Sequence, residues 1–233
     1  MNVLDRLIVA LDVPHQDAAR ELAARLSGHV GMFKVGSQLF TAAGPDFVHE
    51  MTAGGQKVFL DLKFHDIPNT VAGAVSSASR LAVSLLDVHG LGGRAMMEAA
   101  VGALPAMGTR LLAITILTSH DERTLVQIGV GGTLPESVRR LAELAKDAGL
   151  DGVVASPHEV GLIREACGGD FLIVTPGIRP AGSAAADQAR AATPAAALTA
   201  GADYLVVGRP ITEARDPAAA ADAIVREMER ALP

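Results

Sequence analysis

Val58-Phe59-Leu60-Asp61-Leu62-Lys63 is a short apolar run that carries two opposite charges, and its reading decides the fold. It is too short for a helix and rich in residues that suit a pleated, half-buried surface. It leads into Asp66-Ile67-Pro68-Asn69-Thr70, which reads as a helix start with Asp66 or Asn69 as cap and Pro68 in the first turn. The unit is therefore a strand feeding a helix. Comparable runs lie on both sides, at 7–11, 32–35, 85–89, 111–117, 152–155, 171–174 and 204–207. Between them, 17–26, 92–107, 135–148 and 217–231 carry apolar residues at helical spacing, and Pro157, Pro194 and Pro217 stand where a first turn tolerates proline. Eight such units in 233 residues predict an α/β protein built as a (β/α)8 TIM barrel, because an open doubly wound sheet usually uses fewer strands. No composition break marks a linker, so residues 1–233 are expected to form a single domain.

Composition narrows the function classes. With 49% hydrophobic residues the chain can bury a large core, whereas aromatics make up only 3%, with no Trp and one Tyr. Stacking platforms for single-stranded nucleic acid are therefore not expected. The excess of 26 acidic over 20 basic side chains gives a formal charge of −6 and argues against a broad basic face for a phosphate backbone. An anionic ligand must instead be held by a few placed cations. The single Cys167 permits no intrachain disulfide, which fits a reducing compartment. No apolar leader and no uncharged apolar run of about 18 residues is present, so a soluble, cytoplasmic protein without membrane or nucleic-acid partners is expected.

Active sites of parallel barrels lie at the C-terminal ends of the strands. Nearly every strand here ends in polar residues: Asp12, Lys34, Asp61 with Lys63, Asp87 with His89, Thr118 with Ser119, Ser156, Thr175, and Gly208 with Arg209. Asp61 and Lys63 are two apart on one strand, so they share the lumenal face while Leu62 points to the helix layer. Unpaired charge in a lumen is unfavourable, so alternating carboxylates and ammoniums imply a paired array, structural or catalytic. Asp66 lies beyond the strand and can return to that array or reach a neighbouring subunit. Across the barrel, Thr175-Pro176-Gly177-Ile178-Arg179-Pro180 and Val207-Gly208-Arg209-Pro210 occupy the loops after strands seven and eight, the recurrent phosphate site of this fold. Arg179 and Arg209 supply forked donors there, and Gln188 is a further donor if the long 175–188 loop closes. The seven histidines form no metal signature, and Lys63 among Asp61, Asp87 and His89 opposes a cation, so no metal is expected. Cys167, at a helix end, reads as packing rather than nucleophile.

The stretch Leu60-Asp61-Leu62-Lys63-Phe64-His65-Asp66-Ile67-Pro68-Asn69-Thr70 resembles the signature of the orotidine 5′-phosphate decarboxylase family. Val9-Ala10-Leu11-Asp12, Phe33-Lys34-Val35-Gly36, Leu117-Thr118-Ser119, the 175–180 run, Asp187-Gln188 and Val207-Gly208-Arg209-Pro210 are similar to further motifs of that family. The resemblance implies a homodimer of TIM barrels with active sites shared across the interface. It also implies cofactor-independent conversion of orotidine 5′-monophosphate to uridine 5′-monophosphate and carbon dioxide, the last step of de novo pyrimidine nucleotide synthesis. Carried over residue by residue, it makes Lys63 the proton donor and places Asp61 and Lys34 in its charged array. Asp66 comes from the partner subunit. Asp12 and the partner-contributed Thr70 bind ribose, Thr118 contacts the pyrimidine, and Arg179, Gln188, Gly208 and Arg209 bind phosphate.

That chemistry needs such residues. Loss of the carboxylate leaves an electron pair on C6 in an in-plane orbital that the ring π-system cannot delocalise, so stabilisation must be electrostatic, and an ammonium at C6 both stabilises and protonates. Two rival readings stand beside it. One is a related phosphate-binding decarboxylase of the keto-gulonate-phosphate type, which shares an Asp-x-Lys-x-x-Asp pattern and works through a metal-stabilised enediolate. The other is a non-catalytic nucleotide sensor that keeps the phosphate loops.

Overall fold

The computed structural model describes residues 2–105, 108–180 and 192–231. Alternation along each strand sorts its residues into two layers. Leu7, Val9, Phe33, Val35, Val58, Leu60, Leu86, Val88, Leu111, Ile173 and Leu205 pack outward against helices, while Ile8, Ala10, Met32, Phe59, Leu85, Leu112, Leu172, Val174 and Val206 form a separate cluster inside. The strands β1 (Leu7–Ala10), β2 (Met32–Gly36), β3 (Val58–Phe64), β4 (Leu85–His89), β5 (Arg110–Ile114), β6 (Gly152–Val154), β7 (Leu172–Thr175) and β8 (Tyr204–Val207) pair in parallel, in sequence order. β1 also pairs with β8, Ile8 opposite Val206, so the sheet closes into a barrel. A sheet buried on both faces explains why the strands read as nearly continuous apolar runs.

The connecting helices are α1 (Gln16–Arg25), α2 (Ser37–Ala53), α3 (Pro68–Ser79), α4 (Gly93–Gly102), α5 (Glu122–Gln127), α6 (Leu134–Asp147), α7 (Val160–Cys167), α8 (Pro194–Thr199), α9 (Arg209–Thr212) and α10 (Pro217–Ala231). α6 begins in a capping box in which Thr133 and Glu136 satisfy each other's backbone N–H groups.

Some local expectations shift. The fifth strand ends at Ile114 instead of 117: its pairing with β6 runs out at Val154, whose carbonyl takes the Thr115 N–H at 3.2 Å. The helix expected over 92–107 ends at Gly102, ahead of Pro105, whose ring disfavours helical backbone in the residue before it. Neither Asp66 nor Asn69 is the N-cap of α3: Ile67 holds that place, Pro68 opens the first turn, and Asp66 Oδ1 accepts the adjacent Ile67 N–H at 2.6 Å. Cys167 is buried at the end of α7, and burial raises its thiol pKa, consistent with packing.

Candidate active site

Above the inner apolar layer the lumenal positions turn from hydrocarbon to charge. Lys34 follows Met32 on β2, Asp61 follows Phe59 on β3, and Asp87 follows Leu85 on β4, each two residues on along the inward face. Leu62 packs outward, as its alternate position requires.

At Lys63 the strand breaks rule. The β3–β4 register shifts between Leu60 and Phe64, and Lys63 adopts φ 52°, a left-handed conformation that a residue with a Cβ rarely takes. Such strain persists only where the surroundings enforce it, and it clusters at functional sites. Here the Lys63 backbone N–H, freed from the ladder, donates to Asp87 Oδ1 at 2.8 Å. The Lys63 ammonium donates to Asp61 Oδ1.

The result is one alternating chain of charges. Lys34 Nζ lies 3.1 Å from Asp12 Oδ1 and 3.2 Å from Asp61 Oδ2, while Asp61 Oδ1 takes Lys63. The Lys34 and Asp61 side chains are only 11% and 12% exposed, so solvent screens their pairing weakly. Burial by itself lowers the Lys34 pKa, but the Asp61 and Asp12 carboxylates outweigh it and raise it above the ordinary lysine value. Burial likewise opposes ionisation of Asp61, yet Lys34, Asp87 and Lys63 bring its pKa down to about 2. Asp87 goes the other way. Complete burial and the neighbouring Asp61 carboxylate push it well above the usual carboxylate range. Gly36 makes room for the array, since a Cβ there would meet Lys34 Nζ at 2.9 Å and Asp12 Oδ1 at 3.4 Å.

The array opens into a cavity of about 550 Å³ at the C-terminal mouth of the barrel. Its far wall is made by Pro176, Gly177 and Arg179 after β7 and by Gly208 and Arg209 after β8, with Thr118 and Leu117 on the β5 side. Gly177, at φ 79°, makes a turn that a side chain would strain. An isolated bridge between Ile178 and Ala192, with Arg179 N–H donating to the Ala192 carbonyl at 2.9 Å, ties together the two ends of the β7–α8 connection. Arg179 Nη1 donates to the Ile178 carbonyl at 3.1 Å. Between array and rim the floor is apolar, with Phe59, Ile114, Val154 and Val206. On the array's other flank His65 and His89 stack at 5.2 Å between centroids. His89 Nδ1 accepts the Leu91 N–H, and burial, then His65, Lys63 and His120, lower its pKa to about 4.

Asp12, Lys34, Asp61, Lys63, Thr118, Arg179, Gly208 and Arg209 thus meet around one cavity, although the sequence scatters them over six strand ends. Asp66 and Thr70 do not line it; both are exposed where β3 leads into α3, on either side of Ile67, which is 66% exposed. Gln188 lies outside the described residues. Sequence reading noted Asp87 as a strand-end residue but gave it no role, and it missed Glu213, which also lines the cavity. Glu213 stands four residues after Arg209, one helical turn on, and its N–H donates to the Arg209 carbonyl at 3.0 Å, so helical spacing was the available signal.

An apolar floor between a charged array and an arginine rim suits a flat polar ring bearing a distal phosphate, and known proteins point the same way. Residues 5–224 match the model of the family described as "Orotidine 5'-phosphate decarboxylase / HUMPS family". The chain is 57% identical to an orotidine 5′-phosphate decarboxylase of Syntrophotalea carbinolica, covering 97% of this chain and 96% of that one. It is 54% identical to its namesake in Moorella thermoacetica, covering 98% and 94%. The crystal structure of orotidine 5′-phosphate decarboxylase from Lactobacillus acidophilus superposes with a TM-score of 0.84 at 41% identity, covering 95% of this chain and 98% of that one. On this match over nearly its whole length, the chain belongs to the orotidine 5′-phosphate decarboxylase / HUMPS family.

Proposed function

We propose that the protein decarboxylates orotidine 5′-monophosphate to uridine 5′-monophosphate and carbon dioxide in pyrimidine nucleotide synthesis. The observation that carries this reading is the Asp12–Lys34–Asp61–Lys63 chain of ion pairs facing an arginine-bearing rim across an apolar floor. In this reading the phosphate sits between Arg179 and Arg209 with the backbone at Gly208, and Gln188 joins by motif match. The ribose meets Asp12, and the pyrimidine lies over the floor beside Thr118.

The bond between C6 and the carboxylate breaks, its electron pair stays on C6, and Lys63 Nζ gives its proton to that carbon. Water then restores the proton to Lys63. Asp61 pairs with both ammonium groups and Lys34 is held in turn by Asp12, so Lys63 is held by a partner that is itself fixed, and little reorganisation accompanies the reaction. A general acid contributes roughly 10²–10⁴-fold, far below the accelerations enzymes reach, so most of the effect belongs to this preorganised field and to phosphate binding expressed in the transition state.

The active protein is a homodimer in this proposal, and a second copy of the chain contributes its Asp66 and Thr70 to each site. Exposure of both just beyond the C-terminal end of β3, with exposed apolar Ile67 between them, supports it. Asp66 would face the departing carboxylate. The proposed place of work is the cytoplasm; among the described residues no helix is long and apolar enough to cross a membrane.

The test is a spectrophotometric assay with orotidine 5′-monophosphate in excess chelator. Stoichiometric formation of uridine 5′-monophosphate is expected. Activity that vanishes in chelator and returns only with magnesium would overturn the proposal in favour of enediolate chemistry.

A further inference from the structure

Asp87 is the one strand-end carboxyl that the proposed reaction leaves without a task. Its side chain is 0% exposed, on the inward face of β4. Oδ1 accepts the Lys63 N–H at 2.8 Å, the donor released where β3 bulges away from β4. Oδ2 makes no hydrogen bond of ordinary geometry among the described residues. The two ammonium groups of the site are engaged elsewhere, Lys63 with Asp61 and Lys34 with Asp12 and Asp61.

We propose that Asp87 is a positioning residue for Lys63 and works as a neutral carboxylic acid, Oδ1 holding the Lys63 N–H while the proton resides on Oδ2 toward Asp61. The charge balance requires it. Asp12, Lys34, Asp61 and Lys63 already alternate to a sum of zero, so an ionised Asp87 would place an uncompensated negative charge beside Asp61 at a fully buried position. The groups facing Asp87 are Asp61 and Lys63, and burial with Asp61 favours its protonated form while Asp61 stays the anion. A protonated carboxyl offers both a donor and an acceptor, as an amide does.

The consequence for function lies in the backbone. Lys63 keeps its left-handed conformation because its N–H has a partner there. Without that partner the strained residue relaxes toward ordinary strand geometry, and its ammonium leaves the line set by Asp61. Ribose and phosphate contacts are untouched, so the loss falls on kcat and not on KM.

The kinetic part of this inference rests on the decarboxylase reading; the proton on Asp87 does not. Two variants of the full chain separate the alternatives. Asp87→Asn reproduces donor and acceptor, so its kcat is expected within about threefold of wild type, whereas Asp87→Ala should lower kcat by about 10²-fold with KM changed by less than about threefold. Infrared difference spectra at neutral pH should show a carboxylic-acid carbonyl band in the wild type that is absent from Asp87→Asn. Stability supplies a third reading. A folded pKa raised above the unfolded value of about 3.9 gives a contribution that is full below that pH and declines as pH rises toward the folded pKa. Asparagine has no such dependence, so Asp87→Asn should gain stability relative to wild type as pH rises above about 4. Absence of the infrared band, or an Asp87→Asn kcat as low as that of Asp87→Ala, overturns the proposal, as does an unchanged kcat in Asp87→Ala. A wild type that fails to decarboxylate orotidine 5′-monophosphate would reject the activity assignment alone, and the infrared band would still decide the state of Asp87.

Discussion

The two ends of the cavity solve charge placement differently. At the β1–β4 side, Asp12, Lys34, Asp61 and Lys63 stand on strands or shortly after them and are paired with one another, with Lys34 and Asp61 buried at the centre of the chain of charges. At the β7–β8 side, Arg179 and Arg209 stand on connections beyond the strand ends, Arg209 exposed and Arg179 half-buried. The first arrangement is rigid and self-satisfied, which suits groups that must act on a reacting atom with little movement. The second presents forked guanidinium groups beside glycine backbone, which suits capture of a dianionic phosphate and the use of remote binding energy. Loss of function should therefore take different forms at the two ends.

The sharpest break in this contrast is Lys63→Ala. Turnover of orotidine 5′-monophosphate should fall by several orders of magnitude, at or beyond the roughly 10²–10⁴-fold assigned to a positioned general acid, while uridine 5′-monophosphate still binds in calorimetry. Turnover retained within about tenfold would remove Lys63 from the proton-donor role. The next test asks whether the rigid end is complete within one chain. Lys63→Ala and Asp66→Ala chains, each inactive alone, should regain activity when mixed, because a heterodimer rebuilds one intact site of two, roughly a quarter of wild-type activity for random pairing. Heterodimers that form yet stay inactive would count against a shared site. The smallest effect belongs to the rim. Arg209→Ala should lower kcat/KM for the phosphorylated substrate by about 10–100-fold, the worth of a charge-assisted hydrogen bond, and leave the phosphate-free nucleoside nearly unaffected. Equal losses on both substrates would contradict a phosphate role.

Legibility in the sequence follows the same divide. Short apolar runs between helical patterns marked the strands, and the two-residue spacing of Asp61 and Lys63 put them on one face because strand alternation is local. Glycine and arginine after the seventh and eighth strands were readable because this fold places phosphate loops there. The bulge was not readable. Nothing in Asp61-Leu62-Lys63 announces that Lys63 leaves strand geometry, because the partner that stabilises the departure is Asp87, 24 positions away on the next strand. The role of Gly36 was hidden for the same reason: the space it leaves is filled by Lys34 and Asp12 only once β1 and β2 lie side by side.

The sequence by itself determined the barrel, the inward set of charged residues and the family, since each depends on periodicity or on a contiguous motif. Only the tertiary structure decided which carboxyl is held as an anion and which is pushed toward its acid. Asp61 and Asp87 are the same residue type in similar strand contexts. They diverge because Asp61 is in direct ion-pair contact with two ammonium groups, whereas Asp87 is fully buried against Asp61 and the Lys63 N–H, and the Lys63 charge only partly offsets that. Ionisation depends on what surrounds a group in space, and that neighbourhood exists only after strands distant in sequence have been brought together.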